Sequence, residues 1–344
     1  MARLSPSIAL FAAPLLLALA LPADEVAFHP KPDLELKKEL KITAELKPEK
    51  IVCTVNGEPA PSENFGGLNE QPVRFKLVVA ATDKYVQTKE GRPTDLLRTF
   101  DSLRLGAESG AEKDDAPKFD ALEGKTVRFK WNADSETYEK TLQDSKGDDA
   151  LLAQLSEDFD LRVLLPTKKV ADGEAWEVTG ERLLPFFLPG GLPGDVSSGS
   201  DKEEMAAALA EVHSALAKFQ DELKVQCKYK GSREEGGERV GEIDFTFAAK
   251  AKPDLSRLVQ TIASAEDSDM HFDVDASADI DLQGSGTLLW DLAGGRIQSF
   301  AMHADAGVDV DAKLNFDVES QNVEAKVKAH FNCKADWSLK ATKP

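Results

Sequence analysis

NVEAKVKAHFNCKADWSL, from Asn322 to Leu339, alternates apolar and polar residues with almost no interruption. The apolar side chains occupy the odd positions from Val323 onward. A period of two places them on one face of a β-strand and leaves the other face polar. This stretch therefore predicts an unusually long strand with one buried and one wet face.

The preceding stretch has the same pattern in the opposite phase. From Phe300 to Val318 the apolar residues occupy the even positions, and a polar turn follows at Glu319 to Asn322. The change of phase across the turn lets an antiparallel hairpin place both apolar sets on one side. The polar rows are also complementary in charge, which supports the register. They comprise Asp305, Asp309, Asp311 and Asp317 on one strand and Lys326, Lys328 and Lys334 on the other.

Other stretches predict further strands and one long helix. Alternation recurs at Leu34 to Leu46, at Val73 to Ala81 and at Phe272 to Leu282. Ser200 and Glu203 form a capping box that predicts the start of a helix. Its apolar residues are spaced by three and four positions, and they are Met205, Leu209, Val212, Leu216, Phe219 and Leu223.

Together these patterns predict an α+β fold, mainly antiparallel β. We expect long, curled β-meander sheets packed with one long helix and several short ones. The motif K-x-x-C-x-x-x-G, which occurs at Lys50 and again at Lys224, is a weak indication of two similar halves.

The N-terminus predicts export. Residues 1–23 combine one early positive charge, Arg3, with an uncharged apolar run that ends in small residues. That composition is typical of a cleaved signal peptide and too short for a membrane span. We expect a β-rich half at 24–190, a Pro/Gly-rich connector with the long helix at 191–224, and an antiparallel meander with the long terminal hairpin at 225–344. The mature chain is then expected in the periplasm or outside the cell, with no membrane span.

The net charge of the chain excludes two classes of binding partner. The net charge is −19, and loss of Arg3 with the signal peptide makes it −20. A chain this acidic would be repelled by nucleic acid phosphates and by anionic membranes, and neither is therefore an expected partner.

Three cysteines allow one disulfide and one free thiol in an oxidising compartment. Cys53, Cys227 and Cys333 all fall on the apolar phase of their strands, which favours buried positions.

The motifs of catalysis and metal binding are missing from the sequence. Five histidines are scattered without a zinc spacing, and they are His29, His213, His271, His303 and His330. The acidic rows lack the spacing and the glycine of a calcium loop. There is no nucleophile elbow, no phosphate-binding loop and no dinucleotide fingerprint. We therefore expect neither enzymatic activity nor a cofactor, with an exported hydrolase as the least favoured alternative.

Several stretches resemble a known protein family. ATDKYVQTKEGRPTDLLRTFDSL, LEGKTVRFKW, DLRVLLP, GEAWEV and GSGTLLWDLAGGRIQSFAM are similar to segments of a family of exported bacterial proteins of unknown function, common in planctomycetes. The resemblance spans most of the mature chain and implies no activity. The expected architecture also resembles the curled sheets closed by helices in periplasmic lipoprotein carriers, which is an analogy of fold only.

The function expected from these features is binding. An apolar ligand such as a lipid would lie between the curled sheet and the helix, where small side chains leave room. In the alternative, the helix fills that space itself and the protein is a structural module or docks on another envelope protein. The expected lining residues are Ala304, Ala306, Val308, Val310, Ala312, Ala325, Val327 and Ala329 of the sheet and Leu209, Val212, Leu216 and Phe219 of the helix.

Overall fold

The computed structural model describes residues 23–60, 71–109, 112–113, 122–143, 149–180, 183–191, 222–257, 259–260, 272–318 and 321–344. Within them 70% of residues are strand and 6% are helix. The alternating stretches of the sequence therefore become the dominant structure, as a period of two dictates.

Thirteen strands and a few short helical turns make up the described chain. The strands are β1 (Leu34–Val55), β2 (Glu58–Ala60), β3 (Val73–Lys89), β4 (Arg92–Ser109), β5 (Glu112–Lys113), β6 (Thr126–Asn132), β7 (Thr137–Leu142), β8 (Ala175–Thr179), β9 (Lys224–Glu235), β10 (Glu238–Ala251), β11 (Phe272–Asp291), β12 (Arg296–Val318) and β13 (Gln321–Thr342). The helices are α1 (Asp149–Ala153), α2 (Leu184–Phe187) and a 3-10 turn at Arg162–Leu164. A further helical turn includes Ser256 and Val259.

All the strands belong to one antiparallel sheet. Its order is β7-β6-β4-β3-β1-β13-β12-β11-β10-β9-β8, with β2 on β1 and β5 on β4. The first and last long strands, β1 and β13, lie side by side at its centre, where Leu40 pairs with Leu339. The strands of residues 24–190 and those of residues 225–344 therefore form one continuous surface.

The predicted α+β class is wrong. The described residues contain no helix of seven residues or more, and the single sheet is nearly all antiparallel. The physical reason is that the long alternating stretches pair with one another into a single sheet, and the described residues that cover its buried face belong to short segments, not to a long helix. The stretch 200–221, on which the long-helix prediction rested, lies outside the described residues, and Lys224 already begins β9.

The terminal hairpin forms as predicted, and the structure adds its register. Val318 pairs with Gln321 across the turn, and the pairing continues to Ser299 and Lys340. Both apolar phases meet on one face, as in the pair Ala304 and Ala335. The charged rows meet on the other face, where the Lys328 Nζ lies 2.8 Å from Asp311 Oδ2.

A bulge joins two stretches of β1 that have opposite phases. The pairing with β13 shifts between Pro48 and Lys50. Glu49 is the additional residue, so the apolar side chains move from even positions before it to odd positions after it. Leu46 and Ile51 consequently lie on the same face, and one strand of 22 residues results.

We call the face that carries Leu36, Leu40 and Leu339 the inner face and its opposite the outer face. One half of the inner face, the body, is covered by segments of the same chain. Buried side chains from residues 23–30 and 149–191 pack on it. Phe186 makes edge-to-face ring contacts at its centre, and the partner rings belong to Phe245, Phe247 and Phe300.

Beyond the body the sheet narrows. β3 begins at Val73 opposite Leu46, and β10 ends at Ala251 opposite Ile280. Past these points four long strands continue side by side, which we call the extension. It comprises Leu46 to Val55 of β1, Val274 to Leu282 of β11, Ala306 to Phe316 of β12 and Val323 to Cys333 of β13.

Candidate functional site

The inner face of the extension is the candidate site. Its side chains are apolar in every cross-strand row, for example Ile51, Ala329, Val310 and Ala278 in one row. Eleven residues of β13 at ~3.3 Å each make this surface roughly 35 Å long. Most of the side chains are small, so the surface is smooth and offers no hydrogen-bonding side chain.

The structure places the eight predicted lining residues of the sheet on the inner face, seven of them in the extension. Ala304, at the boundary with the body, is the one member of the set that belongs to the core of the body. Ala312, Ala325 and Ala329 are buried elsewhere, outside that core. Four more are half-buried, and they are Ala306, Val308, Val310 and Val327. The predicted residues Leu209, Val212, Leu216 and Phe219 lie outside the described residues.

A large apolar side chain is exposed where the extension meets the body. Phe75 of β3 is 42% exposed and lies on the inner face, opposite Ala44 of β1. A phenylalanine on a face that is otherwise buried marks the limit of what the covering segments protect. The inner face is therefore closed over the body and becomes more open at this boundary.

The body is closed by a buried ionic cluster that the sequence reasoning missed. Lys38 of β1, Asp83 of β3 and Arg98 of β4 have fully buried side chains. Lys38 Nζ lies 2.9 Å from Asp83 Oδ2 and 2.8 Å from Asp160 Oδ1. Arg98 holds Asp83 through two hydrogen bonds, 2.6 Å from Nε and 2.9 Å from Nη2. Two cations and two carboxylates thus balance each other, which a buried cluster requires.

Tyr85 completes the cluster. Its hydroxyl lies 2.7 Å from Asp160 Oδ2 and accepts a hydrogen bond of 2.8 Å from Lys38 Nζ. Burial, together with the nearby carboxylates of Asp160 and Asp83, raises the pKa of Tyr85 well above its usual value. Burial also opposes ionisation of Asp83, but the charges of Arg98 and Lys38 outweigh it and lower the pKa of that carboxyl group. Asp83 is therefore an anion and Tyr85 a neutral hydroxyl at ordinary pH.

The cluster fastens a covering segment to the sheet. Arg98 Nη1 donates to the carbonyl of Ser156 at 2.7 Å, and its Nη2 donates to that of Glu157 at 3.0 Å. The ring of Phe159 lies against both cations, 4.8 Å from the Arg98 guanidinium carbon and 5.5 Å from Lys38 Nζ. These contacts explain why the body is filled by its own chain, and they assign the cluster a structural role.

A signal for the cluster was present in the sequence. Lys38 interrupts the apolar phase of β1 between Leu36 and Leu40, and Asp83 follows Ala81 in the apolar phase of β3. A charged residue in the buried phase of a strand indicates a buried partner of opposite charge. The partner Asp160 lies in an irregular segment, so the alternation alone does not identify it.

Two histidines of the sheet, His303 and His330, lie on the outer face with the acidic rows, whereas His213 and His271 lie outside the described residues. His330 Nδ1 lies 2.8 Å from Oδ1 of Asp309, its cross-strand neighbour. His303 lies between Asp336 and Asp305, 2.8 and 3.1 Å away. Across the described residues, no three His, Cys, Asp or Glu side chains are grouped so that they could hold a metal ion.

The three cysteines are free thiols. Cys53 and Cys227 are buried, and Cys333 is half-buried on the inner face of the extension. Burial raises the pKa of all three, to about 12 for Cys227. A thiol with a raised pKa is a poor nucleophile at neutral pH, so these residues act as small apolar side chains.

Comparisons with known proteins add little to this description. No family model matches the chain, and no curated protein matches it. Among solved structures it is similar to the outer membrane protein OprG from Pseudomonas aeruginosa, with 7% sequence identity and a TM-score of 0.23 over 93% of this chain and 100% of that chain. That TM-score is too low to carry an argument about fold or function. Over the described part of this chain, no helix is long and apolar enough to cross a membrane.

Proposed function

We propose that the protein is an exported, non-catalytic binding protein of the cell envelope that holds an elongated apolar ligand, such as a lipid acyl chain, on the inner face of the extension. The observation that carries the proposal is the division of the inner face. The body is filled by segments of the same chain, whereas four of the eight predicted lining residues, Ala306, Val308, Val310 and Val327, are only half-buried.

The shape of the surface favours an acyl chain. It is roughly 35 Å long at ~3.3 Å per residue, and about 14 Å wide for four strands at ~4.8 Å spacing. Its side chains are apolar and mostly small. A long, flexible apolar molecule gains free energy from burial there, and no polar group needs a partner.

A closed extension is the alternative. Ala276, Ala278 and Ala325 already have 2% or less of their surface exposed. Such low exposure favours a surface that the chain closes by itself, so that the protein would be a structural module or would dock on an envelope partner through its outer face. The two functions differ in whether the surface accepts an added apolar molecule.

Binding of a fluorescent fatty acid, dansyl-undecanoic acid, distinguishes the ligand-binding function from the closed alternative. We expect saturable binding to the delipidated protein, with a blue shift in emission as the dansyl group leaves water. Ala306→Phe places a ring on the inner face and should weaken binding at least tenfold. Ala301→Phe is the matched control, because Ala301 is exposed and lies in the opposite phase of the same strand.

The outcome that contradicts the proposal is equally specific. Absence of saturable binding, or equal binding by the two phenylalanine variants, would assign the extension to the closed alternative. Unfolding midpoints of both variants show whether each is folded, so that a loss of binding can be attributed to the occupied surface.

A further inference from the structure

A groove of about 700 Å³ crosses the outer face of the sheet, where the body meets the extension. Its floor belongs to β1, β13, β12 and β11, the four strands that continue into the extension. One row of paired residues crosses it, and its members are Lys47, Asn332, Gly307 and Asp281. Small-molecule sites have volumes of ~300–1,000 Å³, so the groove is large enough for such a ligand.

Gly307, in the floor of the groove, has no internal role that requires a glycine. Its φ is not positive, and the nearest neighbour of an added Cβ would be His330 Cε1 at 4.0 Å. Gly284 and Gly286 differ, because they leave room for phenylalanine rings. A glycine inside a strand weakens the sheet and often marks a place where a ligand approaches the backbone closely. Gly307 therefore leaves the floor of the groove open to a bound molecule.

Four polar side chains beside Gly307 are available to a ligand. With the described residues they form neither a hydrogen bond nor an ion pair, and each is at least partly exposed, so a molecule in the groove can reach it. Two are amides, which donate and accept, and two are ammonium groups, which only donate. They are Asn332, Gln283, Lys47 and Lys334.

The charges of the groove balance. Its carboxylates are those of Glu45, Glu49, Asp281 and Asp305. Arg74 and Lys250 hold Glu45 and Asp281 from outside the groove, each at 2.7 Å. The rings of His303 and His330 face the other two carboxylates and carry charge only when protonated. Arg74, Lys250 and the two lysines of the groove make four cations against four carboxylates, so neither an anion nor a cation is favoured.

Neutral molecules rich in donors and acceptors include peptides and saccharides, and the position of the groove favours a saccharide. Peptides commonly bind by main-chain pairing at a free sheet edge or by side chains in apolar pockets. At the groove, β12 and β13 are paired on both sides, and the side chains around it are polar. Saccharide hydroxyl groups both donate and accept, and they match amide, ammonium and carboxylate side chains without a free strand edge.

From these observations we infer that the groove binds a neutral saccharide chain. Its hydroxyl groups would accept hydrogen bonds from Lys47 and Lys334 and donate to carboxylate oxygens. The amides of Asn332 and Gln283 would donate and accept, and Gly307 would let a sugar ring lie against the backbone of β12. The inference does not depend on the proposed lipid function, because the two surfaces lie on opposite faces of the sheet.

A glycan array that carries neutral and acidic oligosaccharides, probed with the labelled full chain, tests the inference. We expect binding to a neutral class, and saturable calorimetric titration with the best neutral oligosaccharide. Gly307→Phe fills the floor of the groove and should weaken this binding at least tenfold. Asn332→Leu should weaken it by about tenfold, since it removes a donor and an acceptor together.

Ala301→Phe is the matched control for Gly307→Phe. Ala301 lies on the outer face of the same strand, six residues earlier, and does not border the groove. Its variant should bind the saccharide with unchanged affinity, and unfolding midpoints show that both phenylalanine variants are folded.

Three results would overturn the inference. One is the absence of binding to every neutral saccharide of the array, and another is equal affinity of the two phenylalanine variants. The third is binding to acidic glycans alone, which would show attraction by the lysines only. A parallel peptide array covers the competing class of ligand, since binding to peptides without binding to saccharides would assign the groove to a peptide.

Discussion

Arg98 and Asp83 form a fully buried, two-bond ion pair between neighbouring strands, 2.6 Å from Nε and 2.9 Å from Nη2 to the two carboxylate oxygens. The same guanidinium donates to two carbonyl groups of the segment that covers the sheet. One side chain therefore links β3, β4 and the covering segment, and the body of the protein depends on it.

Removal of this guanidinium should be severely destabilising. Arg98→Met leaves the Asp83 carboxylate with Lys38 as its one cation and leaves two carbonyl groups without their donor. Breaking a buried pair in this way costs about 3–5 kcal/mol in free energy of unfolding. Urea unfolding followed by circular dichroism measures the loss.

The control for that experiment lies on the same strand. Arg104 is exposed, so Arg104→Met should change the free energy of unfolding by less than about 0.5 kcal/mol. Similar losses in the two variants would contradict the structural role of the buried cluster.

His303 should titrate above the usual range of a histidine. The hydrogen bond with Asp336 is the main cause of its raised pKa, partial burial opposes the shift, and Asp305 adds to it. Because both ring nitrogens face carboxylate oxygens, the doubly protonated ring is favoured. The protonated His303 ring therefore stabilises the folded protein. This stabilisation is fully present below the unfolded-state pKa of ~6.5, and it is lost as the pH rises through the higher folded-state pKa.

NMR titration of the His303 ring protons tests this expectation. Asp336→Asn should lower the pKa of His303, whereas Asp309→Asn, which alters the neighbour of His330, should leave it in place. If Asp336→Asn leaves the pKa of His303 unchanged, the hydrogen bond with Asp336 is not the main cause of the raised pKa. The effect on stability is small, since the imidazole is half exposed.

Gly284 is required for packing. An added Cβ would overlap Phe247 Cζ and lie 2.5 Å from the carbonyl oxygen of His303. Gly284→Ala should therefore cost about 1–3 kcal/mol, the range for an overpacked core. Thermal unfolding measures the cost, and Ser285→Ala, at an exposed neighbouring position, should be nearly neutral.

A second substitution distinguishes the overlap with the Phe247 ring from the overlap with the backbone carbonyl of His303. Phe247→Leu shortens the side chain that the new methyl group would meet. Combined with Gly284→Ala, it should cost less than the sum of the two single changes, because neighbours that share space are not additive. Strict additivity would contradict the contact between Gly284 and Phe247.

Cys227 should resist alkylation in the folded protein. Burial raises the pKa of this thiol to about 12, and the thiolate is the reactive form. At pH 8, iodoacetamide should leave Cys227 unmodified in buffer and should modify all three cysteines in urea. Peptide mass mapping measures the labelling, and rapid reaction of Cys227 without denaturant would contradict its burial.

Much of the strand architecture was predictable, because alternation with a period of two is a direct record of which side chains are buried. It predicted the terminal hairpin, with both apolar phases on one face and the charged rows on the other, as the pairing of β12 with β13 shows. β4 was not identified as a strand, because Arg98 and Asp95 occupy buried positions in it and pairing shifts against β3 interrupt the phase.

The fold class and the details of the sites could not be predicted from the sequence, for a different reason. They depend on which strands become neighbours and which segments cover them. Pairing of β1 with β13 joins residues that are almost three hundred positions apart, and no local pattern encodes it. Gly284 and Gly286 likewise lie within β11, where the rings of Phe247 and Phe245 need the space, and this packing depends on the neighbouring strand.

Native mass spectrometry of the protein purified from its own cell envelope, before and after solvent extraction, tests the central proposal most directly. The proposal predicts a stoichiometric adduct that extraction removes, with lipid or fatty acid identified in the extract. Ala306→Phe should be recovered without the adduct, and Ala301→Phe should retain it. A protein that is recovered from the envelope at the mass of the mature polypeptide alone would contradict the binding function and would favour an extension closed by its own chain.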